Sequence, residues 1–461
     1  MNLSLYRLYL RSKHINQCLS LSLLTLILLI GAGLRFHAVT EDVRFHPDEA
    51  LFATFARNAA VYGDWMLPGA LDKTPLSLYA SALGMQLVGV SVNERGVLDQ
   101  GLKQGEFAAR LPHTLAGIVL IALVYQLAKT VSQDDWSALY AAVLVAFSPW
   151  LIAFSATAFT DTLMLFGMIA SLLMAVRGRP GWSGGWLAVS IWSKQQGVFY
   201  LPLMLWFVLQ PAFMASWSKA SPAVHRFLKF IVAFAVGIGL LLLWDVARGT
   251  TSIFALAAVN NNPERTFVRL DEVLPRLMTW LSYASSWFGM WWLTGGVILA
   301  GIVGLWRQKQ GVIMVVYSLA YLVAHIGLAF NTYDRYLLPL IPLMAVVGGM
   351  GIVAGVRFII KSGTERKIHV LALMVLSTLM LLTGLPARFP TDTDTRERDN
   401  DIVELTAYLN AKPLGAIIYD HWLGWETGYY LGAWSDKRKV YYPDPMIQAE
   451  DALLNPDPAP R

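Results

Sequence analysis

The chain has 461 residues, of which 56% are apolar or aromatic and only 15% charged, with a mean hydropathy of +0.49. Ordinary soluble domains carry about 25% charged residues, so a soluble enzyme, a disordered chain and a nucleic-acid-binding domain are excluded. What remains is an all-α polytopic membrane protein. Lys and Arg outnumber Asp and Glu by 36 to 31. The excess is uneven, because Arg388 to Arg461 holds 13 acidic and 8 basic residues and leaves the rest of the chain at +10. Such an excess belongs to the cytoplasmic loops of a membrane protein, not to nucleic-acid binding. The single cysteine, Cys18, permits no internal disulfide.

A membrane-crossing helix needs about 20 mostly apolar residues. In chain order, such stretches lie near 19–36, 106–128, 136–154, 160–177, 226–247, 286–306, 312–330, 337–357 and 367–386. The stretch 184–210 is too long for one span and is interrupted by Ser193-Lys194-Gln195-Gln196, so it reads as two short helices. The expectation is about eleven spans, with helix 1 retained and not cleaved as a signal peptide. Basic residues set the orientation. With Arg7, Arg11 and Lys13 in the cytoplasm, alternation also places Lys129, Arg177, Lys229, Arg307 and Arg357 inside. The expected organisation is a transmembrane domain over 1–387 and a small extracytoplasmic region over 388–461.

Residues 37–105 form a first outer loop whose stretches Ala50–Val61 and Leu76–Val88 suit helices lying in the interface. A second outer segment, 248–285, is polar and carries Asn260-Asn261-Asn262-Pro263. The tail reads as a small α/β unit, with a helix at Asp401–Leu409, strands at Gly415–Tyr419 and Lys439–Tyr442, and a Pro/Asp-rich end from Pro443. No internal repeat is visible, where a transporter would be expected to show one.

Every concentrated polar cluster at membrane level falls on the expected outer side. These are Arg44-Phe45-His46-Pro47-Asp48-Glu49, Asp72-Lys73-Thr74-Pro75, Glu106 to Arg110, Thr160-Asp161-Thr162, Lys194, and Tyr333-Asp334-Arg335-Tyr336. Ionisable groups at membrane depth are costly and mark function by default. Lys73, Arg110, Lys194 and Arg335 suit a phosphate or diphosphate, and Asp48 and Asp161 suit a general base or a divalent cation. The alternative, weighed below the functional reading, is that Asp48-Glu49 and Asp161 are helix caps and Lys194 a snorkelling lysine. Carboxylates and cations beside a lipid-facing groove fit a lipid-linked sugar.

The run Phe45-His46-Pro47-Asp48-Glu49-Ala50, then Gly63-Asp64-Trp65, Asp72-Lys73-Thr74-Pro75-Leu76 and Glu106-Phe107-Ala108-Ala109-Arg110-Leu111-Pro112, resembles a known signature. It is similar to the first loop of polyprenyl-phosphate-dependent glycosyltransferases of the C-type fold, the clan of the dolichyl-phosphate-mannose–protein mannosyltransferases and the aminoarabinose transferases of lipid A. The resemblance runs from about residue 19 to 345 and includes Arg335-Tyr336-Leu337-Leu338-Pro339. It implies that Asp48 is the catalytic aspartate with Glu49 beside it, and that Lys73 and Arg335 contact the lipid phosphate. It further implies that Asp161 can share a divalent metal with Asp48. The family's Lys-Pro-Pro is here Lys73-Thr74-Pro75, and Leu51 stands where an arginine often follows the Asp-Glu pair.

The implied protein is a hexosyl- or pentosyltransferase of a bacterial plasma membrane, with its site on the extracytoplasmic face. Its partners are a polyprenyl-phosphate-linked sugar, a lipid, glycan or protein acceptor, and membrane lipids. No nucleotide cofactor is expected, since the donor is already activated on lipid. A flippase for a lipid-linked sugar would use the same cationic groove without chemistry, and a lipid-linked oligosaccharide ligase is a further reading. The topology is directly testable. A phosphatase fused after Leu409 should be active and a fluorescent protein fused there dark; the reverse result would invert the orientation.

Overall fold

The computed structural model describes residues 3–94, 96–99, 101–213, 220–261, 265–304, 309–359, 365–384, 401–413, 415–420, 424–431, 438–440, 442, 444–456 and 459. The chain is helical almost throughout. The elements run α1 (Leu3–Val39), α2 (Pro47–Arg57), α3 (Leu76–Val88), α4 (Leu102–Ser132), α5 (Asp135–Ala146), α6 (Pro149–Ser155), α7 (Asp161–Val176) and α8 (Pro180–Ser193). They continue through α9 (Leu201–Phe213), α10 (Ala220–Ala247), α11 (Ile253–Asn261), α12 (Leu270–Ser285), α13 (Trp291–Gly304), α14 (Lys309–Gly327), α15 (Leu340–Ile359) and α16 (Glu365–Gly384). The tail holds α17 (Asp401–Asn410), β1 (Ile417–Tyr419), α18 (Gly424–Tyr430), β2 (Arg438–Val440) and α19 (Pro445–Leu454).

Among the described residues, six helices are long and apolar enough to cross a membrane, or seven if α5 and α6, bent by 57°, form one span. About eleven were expected. Part of the difference comes from helices that are apolar but short: α7 has 16 residues and α8 14, against the roughly 20 that a full crossing requires. The expected break at Ser193-Lys194 is present: α8 stops at Ser193, and a 3-10 turn over Gln195–Tyr200 leads into α9.

An inner set of helices carries the core. Every residue of α5 from Ser137 to Ala146 is buried, as is α15 from Leu340 to Gly351. α10, α14 and α16 instead turn Leu243, Val323 and Leu382 outward, as lipid-facing helices of an integral membrane protein do. Close approach depends on glycine, as is usual where lipid offers no hydrophobic drive between helices. Where α15 crosses α13, a Cβ on Gly351 would lie 2.0 Å from the Ala300 carbonyl oxygen. Where α3 meets α4, a Cβ on Gly84 would lie 2.3 Å from that of Ala108.

The bend between α5 and α6 has a chemical cause. Pro149 has no N–H to offer the Val145 carbonyl four residues back, so the helix cannot continue. The fully buried Arg35 of α1 takes over, donating to the carbonyls of Val145 at 3.0 Å and Ala146 at 2.9 Å. Ser148 caps the new start and donates to the Trp287 carbonyl at 2.6 Å.

Both stretches anticipated in the first outer loop are helical, as α2 and α3. The polar segment 248–285 is also largely helical, as α11 and α12. In the tail, β1 and β2 pair in parallel with Ile417 opposite Arg438. The end that reads as Pro/Asp-rich contains α19, started by Asp444, which accepts from the Met446 N–H at 2.8 Å, and by Pro445 at the first helical position. The boundary expected at 387/388 lies outside the described residues.

The α13–α15 crossing yields a stability prediction. Gly351→Ala should cost about 1–3 kcal/mol by overpacking and lower the melting temperature in detergent. Gly355→Ala, where nothing lies within 4 Å of the added carbon, should leave it unchanged or slightly higher.

Candidate active site

The start of α2 decides what Asp48 and Glu49 do. Pro47 opens the helix, and the cap is His46, whose ring nitrogen accepts from the Asp48 N–H at 3.1 Å. Glu49 completes a capping box by accepting from the His46 N–H at 3.1 Å. The Asp48 carboxylate is therefore not needed as a cap. It points to Arg335 instead, at 2.6 Å, and keeps 34% of its side chain exposed.

Glu49 is sealed. Its two oxygens accept from Arg110 at 3.0 and 3.1 Å, and one also accepts from the Ala158 N–H at 2.8 Å. Arg110 is equally committed, donating to the carbonyls of Val43 at 2.9 Å and Arg44 at 3.2 Å. The pair ties the first outer loop to α4 and to the segment before α7. Neither Glu49, expected as a catalytic carboxylate, nor Arg110, expected as a phosphate ligand, lines the cavity described next.

That cavity has a volume of about 510 Å³. Asp48, Lys73, Asp161, Lys194 and Arg335 all line it, so five of the seven anticipated residues meet in one chamber. Asp161, at the start of α7, accepts from Lys194 at 2.6 Å across the break between α8 and the 3-10 turn. Lys194 also lies over the Tyr336 ring at 5.4 Å. Lys73 donates to Asp72 at 2.7 Å, and Asp72 is steadied by Asn260 of α11 at 3.2 Å and by Gln195, which donates to its backbone carbonyl at 2.7 Å. The loop carrying Lys73 is held from below. Buried Arg248 donates at 2.9 Å to the carbonyls of both Leu67 and Gly69, and Leu67 adopts the left-handed backbone (φ +48°) that side chains rarely take.

Arg335 occupies the centre. It sits in a 3-10 turn over Asp334–Leu337, stacked 4.9 Å from the Phe159 ring and 5.1 Å from that of Tyr333. One terminal nitrogen binds Asp48; the other, Nη1, is buried without a hydrogen-bond partner. A buried donor with no acceptor is costly and marks a place where an acceptor belongs. Burial pushes the Asp48 carboxyl up, but Arg335, His46 and Lys73 outweigh it and hold it below the usual carboxylate range. Burial likewise pulls Arg335 down, while Asp48 and Asp161 more than compensate and raise it. The lining also includes the apolar residues Phe52, Val198, Phe199, Phe254, Ala257 and Phe330.

Among the described residues, no three His, Cys, Asp or Glu side chains gather where they could hold a metal ion. Asp48 and Asp161, each already engaged by a cationic side chain, make a thin donor set for a divalent ion, and the mechanism below uses none. Sequence reading passed over Asn260, Gln195 and Gln196 as contributors. Gln196 donates to the Tyr321 hydroxyl at 2.5 Å and lines the same cavity. A signal for two of them existed, since both glutamines belong to the polar step that splits α8 from α9.

A family model described as dolichyl-phosphate-mannose–protein mannosyltransferase matches residues 101–244. A search of curated proteins gives no match. Among solved structures, ArnT from Cupriavidus metallidurans in the apo state superposes with a TM-score of 0.63 at 14% identity, over 95% of this chain and 88% of that one. The same protein bound to undecaprenyl phosphate gives a TM-score of 0.62 at 13% identity, with the same coverage. The oligosaccharyltransferase of Archaeoglobus fulgidus, tethered to an acceptor peptide, gives 0.57 at 12% identity, over 93% of this chain and 64% of that one. At these identities the likeness establishes the fold, the multi-spanning C-type glycosyltransferase architecture. The partial family match and the structural neighbours support the same clan that the first-loop motifs resemble.

The two classes of ion pair should respond differently to mutation. Arg110→Leu leaves Glu49 buried and unpaired, a loss of about 3–5 kcal/mol, and should sharply reduce the yield and melting temperature of folded protein. Arg335→Leu releases a carboxylate that already touches the cavity and should shift the melting temperature far less. Equal thermal behaviour of the two variants would contradict the division into sealed and open pairs.

Proposed function

We propose that the chain is a membrane glycosyltransferase that moves a sugar from a polyprenyl-phosphate-linked donor to a lipid, glycan or protein hydroxyl on the extracytoplasmic side. One observation carries the reading. Arg335 holds Asp48 with one nitrogen and has a second, unpartnered nitrogen buried beside it, at a cavity that also holds Lys73 and Lys194. A proton acceptor and an anion site thus share one guanidinium. The apolar part of the lining fits a hydrocarbon chain, and the clan likeness, including the neighbour solved with undecaprenyl phosphate, points to the same donor chemistry.

In this mechanism the donor phosphate sits among Arg335, Lys73 and Lys194. Asp48 takes the proton of the acceptor hydroxyl as that oxygen bonds to the anomeric carbon. The bond from that carbon to the phosphate oxygen breaks, and polyprenyl phosphate leaves. Charge growing on the leaving phosphate is met by the three cations, which are fixed in place by their own carboxylate partners and need little reorganisation. The low pKa of Asp48 has a consequence for rate. Paired with Arg335, the carboxylate is ionised but a weak base; when the phosphate draws on Arg335, its basicity rises.

Purified undecaprenyl-phosphate hexoses and pentoses, offered in turn, provide the test. Asp48→Asn should lose about 10²–10⁴-fold in transfer rate with undecaprenyl phosphate binding retained and a melting temperature lowered far less than in Arg110→Leu. Near-wild-type transfer by this variant would remove Asp48 as the base, whereas a wild-type protein that moves the lipid-linked sugar across the bilayer without transferring it would be a flippase. For the anion site, Lys73→Met and Arg335→Met should each weaken undecaprenyl phosphate binding by about 1.5–3 kcal/mol, the range for a hydrogen bond to a charged group. Unaltered affinity in folded Lys73→Met would remove that lysine from the site.

A further inference from the structure

The tail helix α18 lies against α2, the helix that carries Asp48, although some 380 residues separate them: the Phe45 N–H donates to the Tyr430 hydroxyl at 2.8 Å across 385 positions. That hydroxyl in turn donates to the carboxylate of Glu106, which pairs with Arg44 at 3.2 Å. At the far end of α2, fully buried Arg57 donates to the carbonyls of Tyr429 at 2.5 Å and Gly428 at 3.3 Å. The tail therefore grips both ends of α2 through specific bonds.

The grip reaches the reacting carboxylate by a short route. The Phe45 ring packs edge-on to Tyr429 at 4.8 Å and beneath the Arg110 guanidinium at 4.9 Å. Arg110 fixes Glu49, and Glu49 fixes the His46 N–H that begins the turn presenting Asp48. We infer that α18 is a positioning element for the Asp48 carboxylate, with Tyr430 as its positioning residue, so that the extracytoplasmic tail completes the active site without touching substrate. This inference rests on the reading of Asp48 as the base.

Two adjacent tyrosines provide an internal control, because the Tyr429 hydroxyl is buried with no hydrogen-bond partner while that of Tyr430 bridges Phe45 and Glu106. The full-length protein is assayed in membranes of a deletion strain, which carry the native donor and acceptor, and product is read by mass spectrometry. Tyr430→Phe should slow product formation about tenfold or more, as expected when a charge-assisted bond that orients the site is lost. Its affinity for undecaprenyl phosphate should stay within about twofold of wild type, because no residue that meets the phosphate has moved. Tyr429→Phe should match wild type in both. Arg57→Met, which frees the other end of α2, should reproduce the rate loss with binding retained, and it serves if Tyr430→Phe fails to fold. A wild-type rate in whichever of Tyr430→Phe and Arg57→Met folds would overturn the inference, as would parallel losses of rate and phosphate binding. Asp48→Asn, run alongside, separates the two failures. If it is inactive while the tail variants are active, only the role of α18 falls; if it is active, the base assignment itself falls.

Discussion

Charge neutralised in pairs is the constraint on which this structure depends. A carboxylate withdrawn from water needs a partner, and here four acidic side chains each have a cationic one: Asp48 with Arg335, Glu49 with Arg110, Asp161 with Lys194, and Glu106 with Arg44. Breaking such a pair leaves an uncompensated buried charge, which costs far more than the pair itself contributes. The pairs differ in what else they touch. Glu49–Arg110 is closed off by backbone groups and acts as a brace. Asp48–Arg335 and Asp161–Lys194 face a cavity and can exchange a partner for a ligand. One kind of interaction therefore supplies both the framework and the working surface, and solvent access separates the two roles.

Much of the site was legible because charged residues stand out in an apolar chain. Asp48, Lys73, Asp161, Lys194 and Arg335 were picked out by type and by the expected side of the membrane, and all five line one cavity. What one dimension hides is direction. Asp48 and Glu49 are neighbours, yet helical rotation sends one to the cavity and the other into the protein. A hint was present: Pro47 marks a first helical position, which makes His46 the cap and places Glu49 three residues on, where a capping box needs it. The span count is read less directly than the site, because hydropathy shows that a stretch is apolar without showing whether the helix in it is long enough to cross.

The tail shows the opposite limit. The amphipathic pattern of 401–409 and the apolar run before Tyr419 announced α17 and β1, which form locally. The seven residues of α18, Gly-Trp-Glu-Thr-Gly-Tyr-Tyr, hold two glycines and three aromatics, a composition with little helical preference of its own. Tertiary docking fixes it, through the two tyrosines buried against the first outer loop. No local rule read along the chain would have paired residue 45 with residue 430.

Arg35 bears on how the molecule is assembled. Its guanidinium is buried within the first span and answers to carbonyls that lie 110 and 111 residues further along the chain. When α1 first enters the bilayer, those carbonyls have not yet been synthesised, and the charged side chain has only the Gly31 carbonyl of its own helix, at 3.0 Å, besides water and headgroups. The first span is thus provisional until the broken helix at Pro149 arrives beside it. Assembly is order-dependent at this point: until residue 146 has been made, two of the three carbonyls that hold the Arg35 guanidinium are missing.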